Sequence, residues 1–171
     1  AMPNFEEELA FMTQHWGLSE VHRDGDVAWL GAEGTPEPFV VRLRKGDKRV
    51  DLVAFGAANR DDVNELHERL VANGVQIIHG PQALTQFGGG YGIRFFDVDG
   101  RTVEVSTEVE LKGSRKIAER EAIPVKLSHF VVNTTNLAQT AEWYVKNLDF
   151  ALSDTLYSDH MGDMMHFLRC N

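Results

Sequence analysis

Residues 90–105 read GYGIRFFDVDGRTVEV, two largely apolar runs separated by an Asp-Gly pair. Asp-Gly between two such runs is a strong local signal for a tight turn that joins antiparallel strands. In the second strand Val103 and Val105 fall on one face, whereas Glu104 falls on the other. The stretch therefore predicts a hairpin that points one carboxylate away from its apolar neighbours.

A second hairpin lies upstream of the first. Asp24-Gly25 separates residues 19–22 from residues 27–30, and both runs are short enough to be single strands. The middle of the chain is thus predicted to be rich in strands. Further strands are predicted at residues 39–44, 49–57, 75–79 and 127–132.

Three amphipathic helices interrupt the strands, at residues 5–16, 60–73 and 137–148. The second has the clearest ends, because Asn59 is a favourable N-cap and Gly74 a typical helix stop. Each helix has apolar residues recurring every three or four positions, which is typical of helices that cover one face of a sheet.

The sequence also repeats one unit, consisting of a strand, a helix and three strands. Residues 4–18 align with residues 136–150, and residues 52–70 align with residues 129–148. By this repeat, a leading strand is expected upstream of residue 1, and the last unit is expected to continue beyond Asn171.

Composition limits the classes of function. The chain has 171 residues, of which 43% are hydrophobic, and a net charge of −9 makes a nucleic-acid partner unexpected. No apolar run approaches the roughly 20 residues that span a bilayer, so no membrane association is expected. A single cysteine, Cys170, allows no internal disulfide and favours a reducing compartment, so the expected location is cytoplasmic.

Three segments together resemble the vicinal oxygen chelate superfamily, which includes glyoxalases, bleomycin-resistance proteins and dioxygenases. They are residues 90–105, residues 127–133 (LSHFVVN) and residues 143–150 (WYVKNLDF). The resemblance is closest to two-domain extradiol ring-cleavage dioxygenases. It implies an α+β fold of βαβββ modules, with a first barrel over residues 1–108, a charged linker over 109–125 and an incomplete first module of a second barrel over 126–171.

His129 is the metal ligand that this resemblance implies. Extradiol sites of this kind hold Fe(II) or Mn(II) with two histidines and one carboxylate; the other two ligands of the second barrel are expected beyond Asn171. His129 alternates with Leu127 and Val131, and from the residues alone this apolar company favours a core histidine; it is the resemblance that favours a metal ligand. The metal is thus expected only in a complete parent protein, and none in this chain, for which no catalytic residue is named.

Two other residues occupy positions of interest. Glu104 stands at the carboxylate position of the first barrel, but Leu52 stands where a histidine ligand would be, so Glu104 is interpreted as a structural or vestigial carboxylate. His166, near the expected mouth of the second barrel, is a candidate substrate-binding residue, with a polar edge-strand position as the alternative.

The resemblance therefore implies a parent that cleaves a catechol-type ring with dioxygen, its substrate a small aromatic diol, while this chain alone is expected to be inactive. Two alternatives stay open: a non-enzymatic binding module of the bleomycin-resistance type and a glyoxalase-type metal isomerase. Unpaired strand edges at both ends of the chain also predict a homo-oligomer.

Overall fold

A computed structural model describes residues 1–170. Within these residues three helices and nine strands follow one another in the order that the repeated unit predicts, except that the strand expected at 127–132 is absent. The elements are α1 (Phe5–Gln14), β1 (Ser19–Asp24), β2 (Val27–Gly31), β3 (Val41–Arg44), β4 (Val53–Gly56), α2 (Arg60–Ala72), β5 (Ile77–Ala83), β6 (Tyr91–Phe96), β7 (Thr102–Thr107), α3 (Leu137–Leu148), β8 (Ala151–Ser158) and β9 (Gly162–Arg169).

The first sheet is antiparallel, in the order β1-β2-β3, and α1 covers its outer face. Phe5 and Leu9 of α1 pack with Ala28, Leu30 and Leu43 of the sheet in one buried cluster. Since Ala28 and Leu30 alternate with Trp29 along β2, the Trp29 side chain projects from the opposite, inner face.

The second sheet has the order β4-β7-β6-β5, with β4 and β7 parallel and the other pairs antiparallel. Val63 and Leu70 of α2 pack on Ile93, Phe95 and Val103 of this sheet. The unit β4-α2-β5-β6-β7 is the predicted βαβββ module, and the α+β fold class is confirmed.

The backbone near residue 1 pairs with the edge of the first sheet next to β3. Met2 forms a parallel bridge with Lys45, just after β3, and its amide donates to the Arg44 carbonyl at 2.9 Å. A parallel partner beside the last strand is the arrangement that β4 makes with β7, so the two units share this feature of their topology.

Residues 108–136 form neither helix nor strand, and the expected strand at 127–132 is wrong for this structure. In the second sheet, the strand that precedes the helix pairs with the last strand of its unit, as β4 does with β7. Among the described residues only β8 and β9 follow α3, and they pair with each other. The segment at 127–132 therefore has no parallel partner strand.

Three other strands differ in extent from their predictions. β3 and β4 are shorter than predicted, and β5 begins two residues later and runs four residues further, to Ala83, with Pro81 inside it. β5 lies at the edge of its sheet and its register shifts twice, which is where a strand tolerates proline. No helix in the described part of the chain has the length and apolar character needed to cross a membrane.

The charged segment at 109–125 lies against the loop after β2. The Lys112 Nζ donates to the carbonyls of Ala32 and Thr35 at 2.6 and 2.8 Å, and Arg115 pairs with Glu33. These contacts tie the segment to the first sheet.

Helix α3 is joined to the turn between β6 and β7 by a buried carboxylate. The Tyr144 hydroxyl donates to Asp97 at 3.0 Å, Arg101 pairs with the same carboxylate at 2.9 Å, and the Thr140 hydroxyl donates to Asp99 at 3.2 Å. Burial, with the charge of Asp97, raises the pKa of Tyr144 above its ordinary value of 10.0. The neutral phenol is therefore the form that this junction requires.

We expect Tyr144→Phe to lower the free energy of unfolding by about 1.5–3 kcal/mol at pH 7, because the hydrogen bond to a buried charged group is lost. A tyrosine whose pKa is raised by folding stabilises the fold fully below its unfolded pKa, and this contribution is lost as the pH rises toward the folded pKa. Denaturation at pH 8 and at about pH 10.5 should show the wild-type advantage shrinking at the higher pH. An advantage that is equal at both values would contradict this role for Tyr144.

Candidate functional site

His129, the expected metal ligand, lies in the irregular segment before α3 and is exposed. The Ser128 hydroxyl lies 2.9 Å from its Nδ1, and the neighbouring Phe130 ring packs against Phe55 with a centroid distance of 5.8 Å. Within residues 1–170, no group of three His, Cys, Asp or Glu side chains is placed to hold a metal ion. The described residues alone thus do not make the three-ligand site that an Fe(II) or Mn(II) centre needs.

His166, the candidate substrate-binding residue, lies on β9 opposite Thr155 of β8. Its Nε2 lies 3.2 Å from the Asp163 carboxylate, and its Nδ1 is buried without a partner among the described residues. His129 and His166 thus each bond to a side chain close in sequence, and no hydrogen bond joins them to each other. Both stay predictions as site residues.

Glu104 lies on the inner face of the second sheet, which is the face opposite to α2. Only 2% of its side chain is exposed. Arg94, its cross-strand neighbour on β6, donates from Nε to Oε2 at 2.6 Å, and the Gln86 amide donates to Oε1 at 2.9 Å. Arg94 also donates to the Gln86 amide oxygen, which closes a three-membered network. Both carboxylate oxygens are therefore satisfied by protein donors, which supports the structural interpretation of Glu104.

A second charged group lies on the inner face of the first sheet, and the sequence reasoning missed it. Arg42, directly across from Trp29, donates to Asp51 at 2.7 Å, and Arg44 donates to the same oxygen at 3.1 Å. Burial alone would raise the pKa of Asp51, but the two arginines outweigh it and hold that pKa below its ordinary value. The alternation of Arg42 and Arg44 around buried Leu43 was the signal that could have revealed this group.

The loop between β5 and β6 joins the two inner faces. Its Gln86 contacts the second sheet through Arg94 and Glu104. Its Phe87 contacts the first sheet, stacking on His22 at 4.6 Å between centroids and lying 6.1 Å from the Trp29 ring. The inner faces of the two sheets consequently face each other across this loop.

Burial lowers the pKa of Arg42, and the nearby charges of Arg44 and Arg94 lower it further, against the effect of Asp51. Arg42 is thus a largely buried charge whose direct partner is Asp51.

Comparisons with known proteins find similar sequences and structures along most of the chain. A sequence model of the Glyoxalase/Bleomycin resistance protein/Dioxygenase superfamily matches residues 3–105. A manganese-dependent 2,3-dihydroxybiphenyl 1,2-dioxygenase of Geobacillus genomosp. 3 is 29% identical over 164 residues, which is 89% of this chain and 52% of that protein.

Two solved structures extend the comparison. An Mn(II)-bound glyoxalase from Novosphingobium aromaticivorans is 40% identical with a TM-score of 0.90, over 98% of this chain and 55% of that one. The 2,3-dioxygenase LapB from Pseudomonas sp. KL28 has a TM-score of 0.81 at 22% identity, over 98% of this chain and 62% of its own, and shows a shared fold. The chain thus spans about half the length of the relatives that it matches.

We expect Glu104→Ala to lower the free energy of unfolding by about 1–3 kcal/mol, because it leaves the Arg94 guanidinium and the Gln86 amide without their buried acceptor, while Arg94 keeps partial access to solvent. The double variant Glu104→Leu with Arg94→Met should recover most of this loss, since apolar side chains often replace a buried ion pair at little cost. Chemical denaturation measures both.

The matched control is Glu108→Ala, which breaks the exposed pair with Arg60 and should leave the denaturation midpoint unchanged. A Glu104→Ala variant as stable as the wild type would show that the Arg94–Glu104 pair does not hold the sheet in place.

Proposed function

Because the chain belongs to the Glyoxalase/Bleomycin resistance protein/Dioxygenase superfamily, we propose that it is part of a metal-dependent extradiol dioxygenase that opens a catechol-type ring with dioxygen. The observation that carries this proposal is the similarity to a manganese-dependent dioxygenase along 89% of the chain, including the segment around His129. The substrate would be a small aromatic diol.

In this proposal His129 is one of three ligands to Mn(II) or Fe(II), and the second histidine and the carboxylate come from a part of the protein outside these 171 residues. His129 suits the role because it is exposed and its ring is held at one nitrogen by Ser128, which leaves Nε2 available. The metal, when bound, supplies charge that holds the two diol oxygens and positions dioxygen. His166 would contact the substrate.

The two parts of the chain have different roles in the proposal. Residues 1–108 would form a supporting domain without metal. Glu104 stands at the carboxylate-ligand position of this domain, and both of its oxygens already accept hydrogen bonds from Gln86 and Arg94. Residues 126–171 would begin the metal-binding domain, and residues 109–125 connect the two. The 171-residue chain by itself would be inactive, cytoplasmic and homo-oligomeric.

A glyoxalase-type isomerase is the second candidate, favoured by the 40% identity to an Mn(II)-bound glyoxalase. It would use the same His129 and the same metal, but it would consume no dioxygen. Oxygen consumption therefore distinguishes the two candidates.

The test uses the longer protein that contains these residues, loaded with Mn(II) or Fe(II). We expect oxygen uptake with 2,3-dihydroxybiphenyl or catechol, and no turnover of a glyoxalase hemithioacetal substrate. His129→Ala should lower the metal content, measured by elemental analysis, and the rate by at least about tenfold, as loss of a direct ligand exceeds the roughly 10–100-fold effect of a residue that supports one.

The matched control is His160→Ala, an exposed histidine in the turn between β8 and β9, which should keep both metal and activity. Hemithioacetal turnover without oxygen uptake would contradict the dioxygenase proposal and support the isomerase. Full metal content in His129→Ala would remove His129 from the site, and oxygen uptake by the 171-residue chain would contradict its proposed inactivity.

A further inference from the structure

The stretch of backbone around His129 is held at both ends by residues 1–107. On the upstream side the Val125 side chain packs against Gly34, so closely that a Cβ there would lie 3.0 Å from it. On the downstream side Arg101 donates from Nη2 to the Asn133 carbonyl. His129 is four residues from each contact. Since no strand neighbours this stretch among the described residues, these contacts decide where it lies.

The contact at Asn133 is the directional one of the two. Arg101 is only 16% exposed, and its Nη1 lies 2.9 Å from the Asp97 carboxylate and 2.8 Å from that of Asp99. One nitrogen of the guanidinium therefore holds both carboxylates of the turn, while the other holds the carbonyl. The planar group presents its N–H donors in a rigid fork, so all three contacts fix a single orientation.

The turn that holds Asn133 is itself well anchored. The Asp97 side chain is fully buried and accepts from the amides of Asp99 and Arg101 at 3.0 and 2.8 Å. A second contact joins the same turn to the segment, since the Thr134 hydroxyl donates to Asp99 at 3.2 Å. The end of the His129 stretch is thus tied to the second sheet at two adjacent residues.

The side chain next to His129 contacts the second sheet as well. The Phe130 ring lies 5.8 Å from that of Phe55 on β4, and Phe55 meets Phe150 nearly edge-on at 5.2 Å. Such tilted and perpendicular arrangements are favourable for aromatic pairs. Apolar and polar contacts from residues 1–107 therefore act on the same short stretch.

We propose that Arg101 is a positioning residue for the metal ligand His129, an inference that rests on the proposed function of the longer protein. By fixing the Asn133 carbonyl, Arg101 fixes the end of the stretch that presents the imidazole. A ligand that is already held in place needs less ordering when it binds its metal, and the affinity rises accordingly. Residues 1–107 thereby contribute to a metal site in the other domain without supplying a ligand.

Arg101→Lys keeps the positive charge but removes the forked guanidinium. A lysine ammonium is a compact point charge, which can pair with the carboxylates of the turn but does not reproduce the contact to Asn133. The matched control is Arg42→Lys. Arg42 is 13% exposed and pairs with Asp51 in the first sheet, so the two arginines are alike in burial and in pairing with a carboxylate. Of the two, Arg101 is the one that bonds to the His129 stretch.

The first measurement needs no metal and uses the ¹⁵N-labelled 171-residue chain. Backbone order parameters are about 0.85 in rigid backbone and below about 0.6 in flexible backbone. We expect the values at residues 130–133 to fall toward the flexible range in Arg101→Lys and to stay unchanged in Arg42→Lys. Unchanged values in Arg101→Lys would overturn the inference, because the guanidinium would then not hold the stretch.

The second measurement is Mn(II) binding to the longer protein. We expect Arg101→Lys to weaken it by about three- to tenfold, at or below the lower end of the roughly 10–100-fold effect of a residue bonded directly to a ligand. The electron paramagnetic resonance spectrum of the bound ion should also change, since it reports the geometry of the ligands. Arg42→Lys should keep both the Kd and the spectrum, even where its denaturation midpoint falls.

Thr134→Val is the second variant, and it decides the question if Arg101→Lys does not fold. It removes the hydrogen bond to Asp99 at a residue that is only partly buried, so the fold should tolerate it. We expect weaker Mn(II) binding in Thr134→Val as well. Wild-type affinity in this variant, with wild-type order at residues 130–133, would count against the positioning role of the turn.

Failure of this inference and failure of the proposed function give different results. If His129→Ala loses Mn(II) but Arg101→Lys binds it as the wild type does, with the same spectrum, only the positioning role is overturned. If His129→Ala keeps its Mn(II), the proposed metal site fails and the role of Arg101 fails with it. Equal weakening by Arg101→Lys and Arg42→Lys would also overturn the inference, because a general loss of stability would then explain the effect.

Discussion

The ion pair between Arg94 and Glu104 is the interaction on which the arrangement of residues 1–107 depends. An ionised carboxylate that is 98% removed from solvent is tolerated only with a nearby opposite charge and satisfied lone pairs. The antiparallel register of β6 and β7 supplies the guanidinium directly across the strand, and the loop before β6 supplies Gln86. The same loop carries Phe87 to the first sheet, so one buried charge fixes the loop and relates the two sheets.

His129 lies between two anchors of the irregular segment. Lys112 ties the beginning of that segment to the first sheet, and Arg101 donates to the Asn133 carbonyl near its end. Arg101 also pairs with Asp97, which accepts from Tyr144 on α3. The turn between β6 and β7 therefore positions α3 and also the backbone at Asn133, four residues after His129. Residues 1–107 are connected to the proposed metal ligand in this way.

Local signals explain which elements the sequence predicted well. Helix α3 has the predicted bounds, and α2 begins at the predicted residue because Asn59 accepts from the Asp62 amide, as an N-cap does. The hairpin at residues 90–105 is also as predicted. These features depend on residues at most a few positions apart along the chain.

Features that depend on distant partners were not predictable in this way. The segment at 127–132 has a strand-like sequence, but a strand needs a neighbour, and none is adjacent to it among the described residues. The contact between Phe87 and the buried Trp29 likewise arises only when the loop before β6 is packed on the first sheet. For His129 and His166, the sequence identified residue types whose surroundings come from other parts of the fold.

The Arg94–Glu104 pair also explains how a buried carboxylate of the second sheet is satisfied by side chains of the protein itself. At the position where the resemblance implies a metal-binding carboxylate, Glu104 is neutralised by a guanidinium that is covalently part of the same sheet. The Arg94 guanidinium, unlike a metal ion, needs no histidine ligands. Leu52 at the position of a histidine ligand agrees with this. With both oxygens accepting from protein donors, Glu104 connects β6, β7 and the loop before β6 on the inner face of the second sheet.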